Sequence, residues 1–224
     1  MTIEVRNVMG RVAIAVHQDA PFSEIVATMR KYAVGAVTVI DRDRRPVGVV
    51  SQDDLLLKEI EPGNAFPAAF LTRTRRLDRR KAAGVRAGEL MTAPAVTVTP
   101  GTPVRDAARL MHDRHVKQLP VIDPVTGRIA GTVHQADLLR VFERPEAELR
   151  DDIVSVVRDE IGLDPAPLEI GVADGVVTIA GEAERPSQIS ALLYAVRHVD
   201  GVVAVVSRLT CPPWQEEAVR LPLL

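Results

Sequence analysis

Residues 34–41 (VGAVTVID) followed by residues 48–56 (GVVSQDDLL) are written a second time as residues 116–123 (VKQLPVID) followed by residues 131–139 (GTVHQADLL), about 82 positions further along. Upstream of each copy, Met9, Pro21 and Met29 return as Met91, Pro103 and Met111. A duplicated unit of this size is too small to bury its apolar face alone. The two copies are therefore expected to pack on each other and to share a crevice in which a ligand would sit.

Within the copies, Phe22, Ile25, Val26 and Met29 stand at i, i+3, i+4 and i+7, and Val104, Ala107, Ala108 and Met111 repeat that apolar stripe of an amphipathic helix. Two β-branched runs follow each helix, residues 36–40 with 47–51 and residues 119–122 with 129–134. The loops between them, residues 41–46 and 123–127, carry the Asp, Pro and Gly of tight turns. A further helix is predicted from near Asp53 and from near Gln135. Each repeat thus reads strand, helix, strand, strand, helix, and the fold class is α/β, or α+β where the strands are counted as hairpins.

The grammar changes after Arg150. Ile153, Val156, Val157 and Ile161 share one helical face, and Leu168, Ile170 and Val172 alternate as a half-buried strand. Asp174-Gly175 predicts a type I′ hairpin turn, whose positive φ angles Gly adopts readily. Residues 176–180 return as the partner strand, Pro186 suits a first helical turn, and Ile189, Leu192, Leu193 and Val196 form that helix's stripe. Gly201 marks its end and residues 202–209 a last strand, giving the order α-β-β-α-β. The expected division is residues 1–60 and 89–145 for the repeats, 61–88 for a basic linker, 148–210 for the third unit and 211–224 for a Pro-containing tail.

Composition narrows the function. The net charge of −2 gives no global attraction to nucleic acid or anionic lipid, and at 3% aromatic residues the chain offers few stacking platforms for bases. The linker carries Arg73, Arg75, Arg76, Arg79, Arg80, Lys81 and Arg86 with Asp78 the one acid among them, but no interleaved aromatics, so a solvated connection is the reading preferred over a polyanion patch. The single cysteine, Cys211, excludes an intrachain disulfide and fits a reducing compartment. With no basic-then-apolar N-terminal segment and no apolar run long enough for a membrane span, a cytoplasmic location is expected. His112 and His115 have helical spacing but lack the Glu and third ligand of a metal site, and no P-loop or catalytic motif is present, so no metal and no enzymatic activity is expected.

The end of each hairpin is where chemistry gathers. Ser51 and His134 close a strand, and three residues later Asp54 and Asp137 open a helix. A carboxylate so placed can accept both hydroxyls of a ribose, while Ser51 and the amides of the helix start can meet a phosphate. The same pattern is also a helix cap, stabilising in its own right. Its occurrence at the same place in both copies favours the ligand reading.

The hydrophobic-Pro-Val-Ile-Asp strand at 119–123, its degenerate copy at 37–41 with Thr38 in place of Pro120, and the Gly-x-x-Ser-x-x-Asp ending at 48–54 resemble a pair of cystathionine-β-synthase-type (CBS) domains, a Bateman module. That resemblance implies a pseudo-symmetric disc with two crevices, an adenosyl ligand such as AMP, ATP or S-adenosylmethionine in a regulatory role, no required cofactor, and a homodimer. It assigns Ser51 and Asp54 to one site, with Ala13, Ile14, Val34 and Gly35 framing the base. Asp137 falls to the other site, with Ala95, Val96, Val116 and Lys117 as the frame and His134 standing where Ser or Thr is usual. Residues 150–210, through DGVVTIAG at 174–181 and VDGV at 199–202, resemble a BON domain. This implies a module that engages phospholipid or a protein partner and carries no catalytic constellation.

Overall fold

In the computed structural model, residues 2–60, 81 and 83–211 are described. The linker arginines from Arg73 to Arg80 and the tail beyond Cys211 lie outside them. The chain divides into two compact units, residues 3–138 and residues 139–224 with residues 1–2.

The first unit holds both repeats. A short helical turn α1 (Val5–Val8) leads to β1 (Ala15–His17), α2 (Phe22–Tyr32), β2 (Ala36–Ile40), β3 (Pro46–Ser51) and α3 (Gln52–Ile60). The second repeat runs α4 (Ala87–Leu90), α5 (Val104–Arg114), β4 (Gln118–Ile122), β5 (Ile129–His134) and α6 (Gln135–Leu138). Strand β2 pairs in parallel with β1 and antiparallel with β3, whereas β4 pairs with β5 as a two-stranded sheet. The first strand expected in the second repeat is reduced to a single bridge between Val98 and Val121. Pro100, which stands where the first repeat has Gln18, lacks the N–H that would extend the ladder. The helix expected after β5 is also short, four residues at α6 followed by a 3-10 stretch, Leu139–Glu143.

Helices α2 and α5 bury Ile25 and Met29, and Ala107 and Met111, against the strands, as their stripes predict. Both end on a residue in the left-handed conformation, Ala33 at φ 52° and His115 at φ 55°. What the stripes do not predict is where the leading turns go. Val5 and Val8 of α1 are packed in the core of the second repeat with Val98, Met111 and Leu119, while Ala87 and Leu90 of α4 belong to the core of the first with Ile25, Val37 and Val50. The backbone locks the exchange: Gly10 and Thr132 trade hydrogen bonds of 3.0 and 3.2 Å, and Thr92 and Val49 trade bonds of 2.8 and 3.1 Å. The recurring Met and Gly acquire a reason here, since Met91 lies over Gly48 and Met9 over Gly131, where a β-carbon would collide or crowd.

The second unit packs α7 (Glu146–Asp159) and α8 (Pro186–Arg197) on a sheet of β6 (Glu169–Ala173), β7 (Val176–Glu182) and β8 (Ala204–Thr210). The β6–β7 turn has φ 50° at Asp174 and 73° at Gly175, the type I′ signature. Strand β8 runs parallel to β7, and Ile153, Val157, Val177, Ile179, Leu192 and Val196 fill the core. Arg144 fastens the entry to α7, donating at 2.8 Å to the Asp200 carbonyl and at 2.8 Å to the Asp152 carboxylate. Among the described residues no helix is long and apolar enough to cross a membrane.

Candidate ligand-binding site

Strand β3 hands over to α3 through a compact polar knot. The Ser51 amide and hydroxyl both donate to Oδ2 of Asp54 at 2.8 Å, and the Asp54 amide returns a bond to the Ser51 hydroxyl at 3.2 Å. This is the reciprocal arrangement of a capped helix, and it saturates Oδ2. Oδ1 receives the Lys81 ammonium at 2.5 Å, and the same ammonium donates to the Thr92 hydroxyl at 2.6 Å. Among the described residues Asp54 therefore keeps one acceptor position on Oδ1, enough for a single hydroxyl and not for a diol gripped by both oxygens.

The second repeat builds the same knot from a different side chain. The His134 amide donates to Oδ2 of Asp137 at 2.9 Å, and its Nδ1 lies 3.2 Å from that oxygen, where Ser51 places its hydroxyl. Imidazole thus substitutes for the hydroxyl. In both repeats the helix start is tied to the preceding strand alike, Gln52 N–H to the Gly35 carbonyl at 2.9 Å and Gln135 N–H to the Lys117 carbonyl at 3.0 Å.

A cavity of about 610 Å³ opens between the repeats, within the range that ligand sites occupy. Ser51, Asp54 and Gly35 line it from the first repeat, with Ala95, Val96, Val116, Lys117 and His134 from the second. The expected grouping is thereby crossed: the Asp54 knot of one repeat shares a space with the framing segments of the other. Ala13, Ile14, Val34 and Asp137 do not line this cavity. Ile14 and Val34 pack against the first-repeat core, and Asp137 turns one oxygen to His134. Sequence reading missed Arg114, His115 and Gln118, which also line the space. A comparison of the two copies position by position would have found them, because each replaces a neutral residue of the first.

Neither His112 nor His115 takes part in a metal cluster among the described residues. His115 Nδ1 instead lies 2.8 Å from the His112 carbonyl, closing the end of α5.

Residues 5–61 and 87–144 match the CBS domain, and residues 145–213 match the BON domain. The chain belongs to the CBS family. Its CBS pair is followed by a BON domain, and the fold is α+β. Among relatives of the CBS pair, an uncharacterized protein of Methanopyrus kandleri is 27% identical over 118 residues, 53% of this chain and 52% of that protein. A CBS domain-containing protein of Dictyostelium discoideum is 27% identical over 62% of this chain and 90% of its own length. The match to the Aquifex aeolicus inosine-5'-monophosphate dehydrogenase, 24% identical, spans 81% of this chain but 29% of that enzyme. Among solved structures, CBSX2 in complex with AMP superposes with a TM-score of 0.53 at 26% identity, over 61% of this chain and 94% of that one. The chain spans about half the length of the Methanopyrus kandleri relative.

Proposed function

We propose that the CBS pair of this protein is a sensor for an adenosine-type ligand held in the cavity between its repeats, and that the BON domain passes the state of the pair to a protein partner or a lipid surface. The observation that carries the reading is the convergence of Ser51 and Asp54 with Ala95, Val96, Val116 and Lys117 on one cavity of nucleoside size. The AMP complex of the similar CBSX2 supports the ligand class. Binding would act by favouring one relative setting of the two repeats, since a ligand shifts an equilibrium only through unequal affinity for its states. A homodimer in the cytoplasm, with no catalytic step and no cofactor, completes the proposal.

The near-complete occupation of Asp54 by Ser51 and Lys81 favours a second reading, a scaffold whose binding sites have lapsed. Calorimetry and thermal unfolding with AMP, ATP and S-adenosylmethionine decide between them. A sensor gives a saturable heat and a rise in melting temperature with at least one; a protein unmoved by all three is the scaffold.

A further inference from the structure

The second unit carries a groove of its own, apart from the cavity between the repeats. Along α7, Arg150, Val154 and Arg158 stand at i, i+4 and i+8 on one side of the helix, next to the stripe of Leu149, Ile153, Val156 and Val157 that enters the core. Facing them, the chain returns through Asp164 to Leu168 and into β6 at Ile170. These residues line a groove of about 400 Å³. Its floor is apolar, with Val154 and Leu168 half-buried and Ile170 buried, and the backbone positions of the two arginines lie about 12 Å apart along the helix.

Arg150 and Arg158 are exposed and form no ion pair among the described residues. The acid of the lining, Asp164, accepts the Ala166 amide at 3.0 Å. The groove thus presents two cations and one acid around an apolar strip. Its complement is a short segment with two acids, one cation and apolar side chains. The chain itself supplies one, since residues 212–224 read PPWQEEAVRLPLL, with Glu216 and Glu217 against the single Arg220 and with Trp214, Val219 and Leu221 among the apolar residues.

Topology brings groove and segment within reach of each other. Gly181 pairs with Leu209 of β8, and the β6–β7 register places Leu168 beside Gly181, where an added β-carbon would lie 3.0 Å from the Leu168 side chain. Leu168, Gly181 and Leu209 therefore stand in a row across the sheet, and β8 ends one residue later at Thr210, at the groove's end of the sheet. Two strand spacings amount to about 10 Å. The stretch from Thr210 to Glu216 spans up to about 20 Å when extended. We propose that residues 212–224 fold back onto this groove of their own chain, with Trp214 on the Leu168 and Ile170 floor and Glu216 and Glu217 between Arg150 and Arg158. Planar guanidiniums suit carboxylates as partners, and an outside partner of the same chemistry would have to displace the segment. This docking is independent of what the cavity between the repeats binds.

Trp214 is the single tryptophan of the chain, so its fluorescence in the full-length protein reports on this segment alone. Docking predicts a blue-shifted emission that acrylamide quenches weakly. In Arg150→Ala/Arg158→Ala the ratio of docked to open segment should fall about five- to tenfold, the scale of two exposed ion pairs. Arg208→Ala, which removes an exposed arginine of β8 outside the groove, should change nothing. Glu216→Gln/Glu217→Gln alters only the segment and should release Trp214 as the arginine variant does, which keeps the test valid if that variant folds poorly. Pairing Arg150→Glu/Arg158→Glu with Glu216→Arg/Glu217→Arg should shield Trp214 again. A solvent-like emission in the unaltered chain overturns the proposal and leaves the groove to an acidic segment of another protein. Shielding that survives both the arginine and the glutamate variants overturns it as well, because the segment then rests elsewhere. Shielding that grows with protein concentration overturns docking within one chain and assigns the groove to a second copy.

Discussion

The Lys81 ammonium sits 2.5 Å from Oδ1 of Asp54, and the two side chains are only 17% and 13% exposed. They stand 27 positions apart in the chain, so this contact ties the linker to the start of α3.

Breaking this pair from one side leaves a partly buried carboxylate with fewer donors. Lys81→Met is expected to lower stability by roughly 1–3 kcal/mol, less than for a fully buried pair because both groups keep some water. A double-mutant cycle with Asp54→Asn, read from urea midpoints, isolates the coupling. A coupling energy near zero would show that the contact contributes nothing.

The two capping knots predict different responses to the same kind of change. Ser51→Ala removes a donor to Asp54 and an acceptor for its amide, and should cost about 1 kcal/mol. His134→Ser should be tolerated, since a hydroxyl in that place can make the bond to Asp137 that the imidazole now makes. Thermal unfolding of the two variants checks both, and a large loss for His134→Ser would mean that the ring has another structural duty.

Among the described residues two buried hydroxyls are without partners, Thr38 Oγ1 and Thr132 Oγ1. They occupy the same rung of the two hairpins on opposite strands, for Thr38 pairs with Val49 and Pro120 with Thr132. Replacing either by Val keeps the branched shape and removes an unsatisfied polar atom. Each of Thr38→Val and Thr132→Val should therefore raise stability by about 1 kcal/mol, measured by chemical denaturation; a loss would reveal a partner for the hydroxyl.

A β-carbon at Gly131 would fall 2.5 Å from the Gly10 carbonyl oxygen, whereas one at Gly48 would fall 2.5 Å from the Met91 sulfur and 2.9 Å from its β-carbon. Backbone yields less readily than a thioether. Gly131→Ala is expected to destabilise by roughly 1–3 kcal/mol and Gly48→Ala by less. Equal melting temperatures for the two would contradict this ranking.

Asp123 supplies the acid-sensitive element of the second hairpin. The Thr126 amide, then the Thr126 hydroxyl, hold its carboxyl below its ordinary value of 3.8. A depressed value in the folded state means that the carboxylate's contribution is complete above the ordinary value and is lost as pH falls through the folded one. The stability difference between the protein and Asp123→Asn should be flat from neutrality to about pH 5 and shrink below about pH 4. Urea midpoints across that range test it, and a difference that grows on acidification would reverse the sign.

Local signals in the chain carry most of the fold. The stripes of α2 and α5 are three turns long, the β-branched runs are bounded by turn residues, and Asp174-Gly175 names its own turn type, so these elements are legible one at a time. The exchange of α1 and α4 is not legible, because four residues are too few to show a helical period and nothing local says which core Val5 or Leu90 will enter. The candidate site divides in the same way. Ser51, Asp54, His134 and Asp137 stand out by their repeated spacing, but the grip of Lys81 on Asp54 is a long-range contact from a segment whose basic composition suggests only solvation. Asp137, Ala13, Ile14 and Val34 do not line the cavity, which joins the Asp54 knot of one repeat to the framing segments of the other, a fact of packing that spacing does not encode.

That interlock of Val5 and Val8 with the far repeat, and of Ala87 and Leu90 with the near one, has a consequence for how the duplication can be handled. Trimming the first nine residues would hollow out the half that lies farthest along the polypeptide, and an excised single copy would carry a turn with nothing to fill and a gap with nothing to fill it. Neither copy completes its core alone, and the module should melt in one concerted event.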